Sequence, residues 1–107
     1  MSASIAKLND ILRTTFLTGK VVVTEGIANL NRPQFYCVME SVRTFDAFTE
    51  GDDPYGEHDF GALDVIGVGK VFWKIDYYDT DYQFHSPDPA DPKVTRRVLT
   101  IMLAEEY

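Results

Sequence analysis

Two strand-like runs, residues 57–66 and 70–78, flank Gly67-Val68-Gly69, and this arrangement constrains the fold more than any other stretch of the chain. Alternating apolar and polar residues on both sides of a short glycine-bearing loop specify a β-hairpin. Register decides which side chains share a face. A three-residue loop pairs Ile66 with Lys70, Val65 with Val71, Leu63 with Trp73, Gly61 with Ile75 and Asp59 with Tyr77, and sets His58 against Tyr78 and Phe60 against Asp76 on the other face. A two-residue loop instead puts Phe60 opposite Ile75, Ala62 opposite Trp73 and Asp59 opposite Asp76. The first register is preferred, because it gathers Val65, Leu63, Val71, Trp73 and Ile75 into one apolar surface.

Residues 4–17 space Ile5, Leu8, Ile11, Leu12 and Phe16 by threes and fours, which predicts an amphipathic helix with Ser2 or Ser4 as its cap and Gly19 beyond its end. The β-branched run 20–24 predicts a strand buried on both faces and central to the sheet, ended by Gly26. A second helix is predicted to open at Asn31 with Pro33 in its first turn. It buries Phe35, Val38, Met39, Val42 and Phe45 before stopping near Phe48. Residues 49–56 read as an acidic turn, and 79–92, with Pro87, Pro89 and Pro92, as a stiffened loop in which 82–84 add a short strand. Asp91 and Pro92 then match the cap and first position of a third helix whose apolar face is Val94, Val98, Leu99, Ile101, Met102 and Leu103. The expected architecture is α+β, in the order α-β-α-β-β-α, with a small, mostly antiparallel sheet packed against helices in a single domain over 1–107.

Fourteen aromatics among 107 residues supply a core without staples, and the lone Cys37, flanked by Tyr36, Val38 and Met39, reads as a buried, inert thiol of a reducing compartment. No apolar run approaches the ~18 residues of a membrane helix, and the first residues lack the order of a signal peptide, so the chain reads as soluble and cytoplasmic. Charge is unevenly placed. Residues 49–92 hold 11 Asp/Glu against Lys70 and Lys74, net −9 within a total of −7. That polarity argues against direct binding of a phosphate backbone and favours a basic protein surface as partner. The small basic cluster Lys93, Arg96 and Arg97 reads as a salt-bridged patch.

The densest chemical grouping is Glu57-His58-Asp59, with Asp76 one strand away. These types suit a metal-assisted hydrolase in which the carboxylates hold the ion and His58 is the base. Alternation within a strand turns His58 away from Glu57 and Asp59, so a structural histidine near the Tyr78 hydroxyl is the plainer reading, and neither metal nor cofactor is assigned. His85-Ser86 lacks the elbow of a nucleophile, and Asp79-Thr80-Asp81 lacks the glycine and terminal glutamate of a calcium loop. Tyr77, Tyr78, Tyr82 and Phe84 interleave with acids, which combines contact area with negative charge.

The blocks TFLTGKVVVTEGI, VRTFDAFTEGDDPYGEHDFGAL, FWKIDYYD and SPDPADPKVTRRVLTIMLAEEY closely resemble a bacterial domain-of-unknown-function family of small stand-alone proteins, over about residue 8 to 107. The resemblance implies no catalytic residues. It implies an accessory role on plasmids or phages, in conflict between genetic elements. Two functions from different classes follow. One is a binding protein that meets a basic partner through Asp52, Asp53, Tyr55, Asp79, Asp81, Tyr82 and Asp88, in the form of a nucleic-acid-mimicking inhibitor of a bacterial defence system (anti-CRISPR or anti-restriction). The other is the hydrolase of Glu57, His58, Asp59 and Asp76. A homodimer formed through the apolar face of 94–103 is a third arrangement.

Overall fold

The computed structural model of the chain describes residues 2–107. Helix α1 (Ser2–Thr15) leads into β1 (Lys20–Val23), the single-turn helix α2 (Glu25–Ala28) and helix α3 (Arg32–Arg43). After an irregular stretch come β2 (Phe60–Val65), β3 (Gly69–Tyr78), a long loop, β4 (Arg96–Leu103) and a 3-10 turn at Ala104–Glu106. The four strands form one sheet in the order β1-β4-β3-β2, in which β1 and β4 are parallel and the other neighbours antiparallel. The α+β class holds, with a mixed sheet.

The largest departure from the sequence reading is β4. Residues 94–103 were expected as a helix, yet Arg97, Leu99 and Ile101 are buried while Arg96, Val98 and Thr100 are half-buried, the two-residue period of a strand. β-branched Val98, Thr100 and Ile101 suit that backbone, and pairing on both sides satisfies its hydrogen bonds. The broad helical face therefore does not form, and Leu99 and Ile101 are enclosed within the chain, each burial stabilising by about 1.5–3 kcal/mol. Asp91 caps no helix; its carboxylate accepts from the Lys93 N–H at 2.9 Å in a local turn. With β4 in the middle, β1 is an edge strand and not the central one.

The hairpin forms with a three-residue loop, but two residues away from the expected register: Val65 faces Gly69, Leu63 faces Val71 and Gly61 faces Trp73. A slip of two preserves the faces, so Val65, Val71, Trp73 and Ile75 still enter the core. Asn31 caps α3 by accepting from the Gln34 N–H at 2.9 Å, with proline in the first turn, and Val38 and Val42 are buried. That helix ends at Arg43. Phe45 and Phe48 continue inward without it, edge-on to Trp73 at 5.6 and 6.1 Å between centroids. Cys37, expected inside, is exposed.

α1 is rotated from its expected apolar stripe. Ile11 is 38% exposed, whereas Ala6, Asn9, Leu12 and Arg13 are buried, so two polar side chains enter the interior from this helix. Ser4 lies within the helix and not at its cap, and the side chain of Ser2 lies outside the described residues. All three helices pack on one face of the sheet, where Leu12, Ile27, Val38 and Val42 meet Trp73, Ile75, Leu99 and Ile101. The other face carries Phe60, Phe72 and Tyr107, whose rings lie 5.4 to 6.1 Å apart, beside a Lys74–Asp76 ion pair at 3.1 Å.

Candidate functional site, an acidic groove backed by a buried polar chain

Asp53 organises the turn that leads into the hairpin. It is 8% exposed, and its carboxylate accepts the backbone N–H groups of Glu57 (2.9 Å) and His58 (3.2 Å). Those bonds hold His58 at a φ of 56°, in the left-handed region that side chains seldom adopt, two residues after Gly56 at 64°. Asp53, expected on a partner-facing surface, is thus turned inward and engaged.

The left-handed step swings His58 away from Tyr78 and toward the helices. Its ring stacks on Phe48 with centroids 3.9 Å apart, and Nδ1 lies 2.9 Å from Asp10 Oδ1. The second ring nitrogen, Nε2, is 3.9 Å from Asp53 Oδ2. Sequence spacing does not point to this orienting carboxylate, because Asp10 sits 48 residues earlier on α1. Asp10 also pairs with Arg13 at 3.1 Å.

Glu57 is taken up differently. Its carboxylate accepts from the Tyr77 hydroxyl at 3.1 Å, and its carbonyl accepts from Asn9 Nδ2 at 3.0 Å. Asn9, 0% exposed, also donates to the Tyr77 oxygen at 2.8 Å and accepts from Arg97 Nε at 2.7 Å. An unbroken chain therefore runs Arg97–Asn9–Tyr77–Glu57 beneath α1, with a cation at one end and an anion at the other. Burial pushes the Tyr77 phenol well above its ordinary range and pulls the Arg97 guanidinium down. Neither Asn9 nor Arg97 was singled out as a site residue from sequence. The available signal was a polar pair, Asn9 and Arg13, four residues apart between the apolar positions of α1.

Asp59 and Asp76 remain at the surface. Asp76 pairs with Lys74, and Asp59 is half-buried. Burial first, then the charge of Glu57, raises the Asp59 carboxyl above its usual value. Two clefts, of about 370 and 410 Å³, share Asp59, Ile75 and Asp76 as a common wall. The first opens ahead of the start of β2, where the loop at His85, bridged to Tyr78, takes over the same edge of β3. Asp52 and Tyr55 line the second, and Phe84 the first. Tyr55 (77%) and Phe84 (70%) are largely exposed, so a floor made of Asp59 and the Asp76–Lys74 pair is rimmed by free aromatic rings.

The remaining expected residues are scattered along the loop. Asp79 accepts from the N–H groups of Gln83 (3.0 Å) and Asp81 (3.2 Å), and these bonds, that of Gln83 foremost, hold its carboxyl below the usual range. Asp81 is exposed, Tyr82 lies under Lys20 Nζ at 4.0 Å, and Asp88 accepts from the Ala90 N–H at 3.1 Å. Ser86 is buried and bonded to the Thr95 hydroxyl at 2.7 Å. Glu57, His58, Asp59 and Asp76 are neighbours, but Glu57, His58 and Asp76 each have a partner of their own, and the Asp59 carboxylate alone has none among the described residues. Among the described residues, no three His, Cys, Asp or Glu side chains are grouped to hold one metal ion, and no helix is long and apolar enough to cross a membrane.

Residues 23–106 match a family described as "Protein of unknown function (DUF3768)", and the chain belongs to it. The match covers β2, β3 and β4, the last residue of β1 and every residue of both clefts except Tyr107, while α1, with Asn9 and Asp10, precedes it. No curated protein and no solved structure matches the chain.

Proposed function

We propose that this family member is a non-enzymatic binding factor whose acidic, aromatic groove engages a basic surface on another protein, of the kind that ordinarily holds nucleic acid. A nucleic-acid-mimicking inhibitor of a bacterial defence system, acting in the cytoplasm, is the form we assign to it. The observation that carries this reading is the meeting of two clefts at Asp59 and Asp76, with Tyr55 and Phe84 free on their rims. Carboxylates recessed beside aromatic faces suit arginine and lysine, whose stems lie on the rings while their heads reach the acids. Proton linkage supports the same partner. A cation seated at Asp59 offsets the burial and the Glu57 charge that raise its carboxyl, so binding lowers the proton affinity of that group.

Capture of partners from the native host at about 0.05 M and about 0.5 M salt tests the proposal, since screening shortens to a few Å at the higher value. Binding is expected to weaken with salt and to be lost when Asp52, Asp59, Asp76 and Asp81 are converted together to Asn. A partner held equally at both salts by both proteins ends the idea.

Hydrolysis by Glu57, His58, Asp59 and Asp76 is the second reading, favoured by one contact, that of Asp10 with His58 Nδ1. Against it, Glu57 is bonded to Tyr77, Asp76 to Lys74, and His58 Nε2 faces another carboxylate. Calorimetry with Mg²⁺, Mn²⁺ and Zn²⁺ distinguishes the two, and heat of binding at one site favours the hydrolase.

A further inference from the structure

Arg97 stands at the end of the buried chain remote from the acidic groove. It is 5% exposed, and among the described residues no carboxylate lies within ion-pair distance of it. Its Nε donates to Asn9 Oδ1 at 2.7 Å, its Nη2 donates to the Pro89 carbonyl, and its plane lies over the Tyr77 ring at 5.1 Å. Nη1 donates to nothing among the described residues, and it is not fully enclosed, so it is open to water or a ligand. Two neutral side chains, Asn9 and Tyr77, separate this cation from the Glu57 carboxylate in the hydrogen-bonded chain. A guanidinium largely withdrawn from water without an adjacent anion carries a desolvation penalty that carbonyl and amide acceptors offset only in part.

The same side chain lines a cleft of about 170 Å³ with Leu8, Ile11, Thr18, Pro92 and Thr95. The Thr95 hydroxyl is committed to the Asp88 carbonyl and Ser86, each at 2.7 Å, whereas the Thr18 hydroxyl has no partner among the described residues. The cleft thus offers one buried cation, one free hydroxyl and apolar walls. A phosphate dianion needs more donors than these. A monoanion with a hydrocarbon end uses all three, and the volume is below the roughly 300 Å³ at which drug-sized sites begin.

We propose that this cleft binds a small aliphatic monocarboxylate, its oxygens on Arg97 Nη1 and the Thr18 hydroxyl and its hydrocarbon end against Leu8, Ile11 and Pro92. The bound anion is then the missing counter-charge of Arg97.

Titration of the whole chain with butyrate, followed by two-dimensional nitrogen–proton NMR, tests this, with butanol and inorganic phosphate as probes at matched ionic strength. Saturable shifts are expected at Leu8, Ile11, Thr18, Thr95 and the Arg97 side-chain Nε for butyrate, with butanol and phosphate weaker by roughly tenfold or more. Ile11→Trp, on the exposed rim, fills the cleft without touching the buried network, and it should abolish the butyrate shifts while the remaining spectrum stays that of the folded protein. Butanol or phosphate binding as tightly as butyrate overturns the proposal. So does butyrate binding that survives Ile11→Trp, or the absence of saturable shifts at these residues in the wild-type chain.

Discussion

Asn9→Leu removes the joint of the buried chain while keeping the apolar volume of α1. The amide makes three hydrogen bonds, to the Glu57 carbonyl (3.0 Å), the Tyr77 hydroxyl (2.8 Å) and from Arg97 Nε (2.7 Å), at a side chain with no exposure. The bond to the charged Arg97 contributes about 1.5–3 kcal/mol and the two neutral ones about 0.5–1.5 kcal/mol each, and leucine burial recovers about 1 kcal/mol. A net loss of about 3 kcal/mol follows, a large share of the roughly 5–15 kcal/mol that holds a domain of this size. At about 4–8 °C per kcal/mol for 100 residues, the midpoint should fall by roughly 12–24 °C. Urea unfolding read from the single, buried Trp73 measures it, with the slope unchanged. A double-mutant cycle with Tyr77→Phe should return a coupling of about 0.5–3 kcal/mol, since the two residues share one bond. A loss below about 0.5 kcal/mol for Asn9→Leu, or no coupling, refutes the claim that this chain stabilises the fold.

Asp59 has a folded-state proton affinity above its ordinary value, so its ionisation opposes folding, and its contribution improves as pH falls through that raised value toward the unfolded one. Asp59→Asn should therefore be the more stable protein at neutral pH and should lack that rise; melting temperatures followed from about pH 7 to about pH 4 that run parallel in the two proteins contradict it. Gly61→Ala places a methyl 2.6 Å from Trp73 Cε2 and 2.9 Å from Phe45 Cε1, and this overpacking should destabilise by about 1–3 kcal/mol in urea and alter the near-ultraviolet signal of Trp73. Unchanged stability there would mean that the two rings can separate freely. Glu106 accepts from the Thr24 hydroxyl (2.5 Å), the Gly26 N–H (2.8 Å) and the Leu103 N–H (2.9 Å), which lower its proton affinity. Its contribution is present above the unfolded carboxylate value and is lost as pH falls through the depressed folded one. Glu106→Gln should show a shallower acid loss of stability than the wild type, and an equal loss rejects the assignment.

The elements legible in the sequence are those whose stabilising partners are local. α3 has its cap and proline within four residues, and the hairpin has its glycines between two alternating runs. Residues 96–103 failed because their pattern serves two backbones. Asp91-Pro92 imitates a helix start, and a run rich in apolar residues gives a helix and a strand equal claims until β1 and β3 are known to flank it. The site failed for a similar reason. Glu57, His58, Asp59 and Asp76 do lie together, but what Glu57 and His58 do is set by Asn9 and Asp10 on α1 and by Asp53 on the preceding turn. Sequence spacing carries no information about contacts 48 residues apart. Cys37 shows the converse error, since apolar neighbours along a helix do not share its face.

The parallel pairing of β1 with β4 also sets the order of assembly. β4 follows every other strand along the chain, yet it is the only element that touches both β1 and the β2–β3 hairpin within the sheet. Until residues 96–103 have emerged from the ribosome, β1 and the hairpin are two pieces with no shared ladder. The hairpin can zip early, whereas closure must wait for a contact between Lys20 and Val98, across almost the whole chain. A nascent or clipped chain that stops short of Arg96 exposes the edges of β1 and β3 together, and is the form for which aggregation and proteolysis compete with folding.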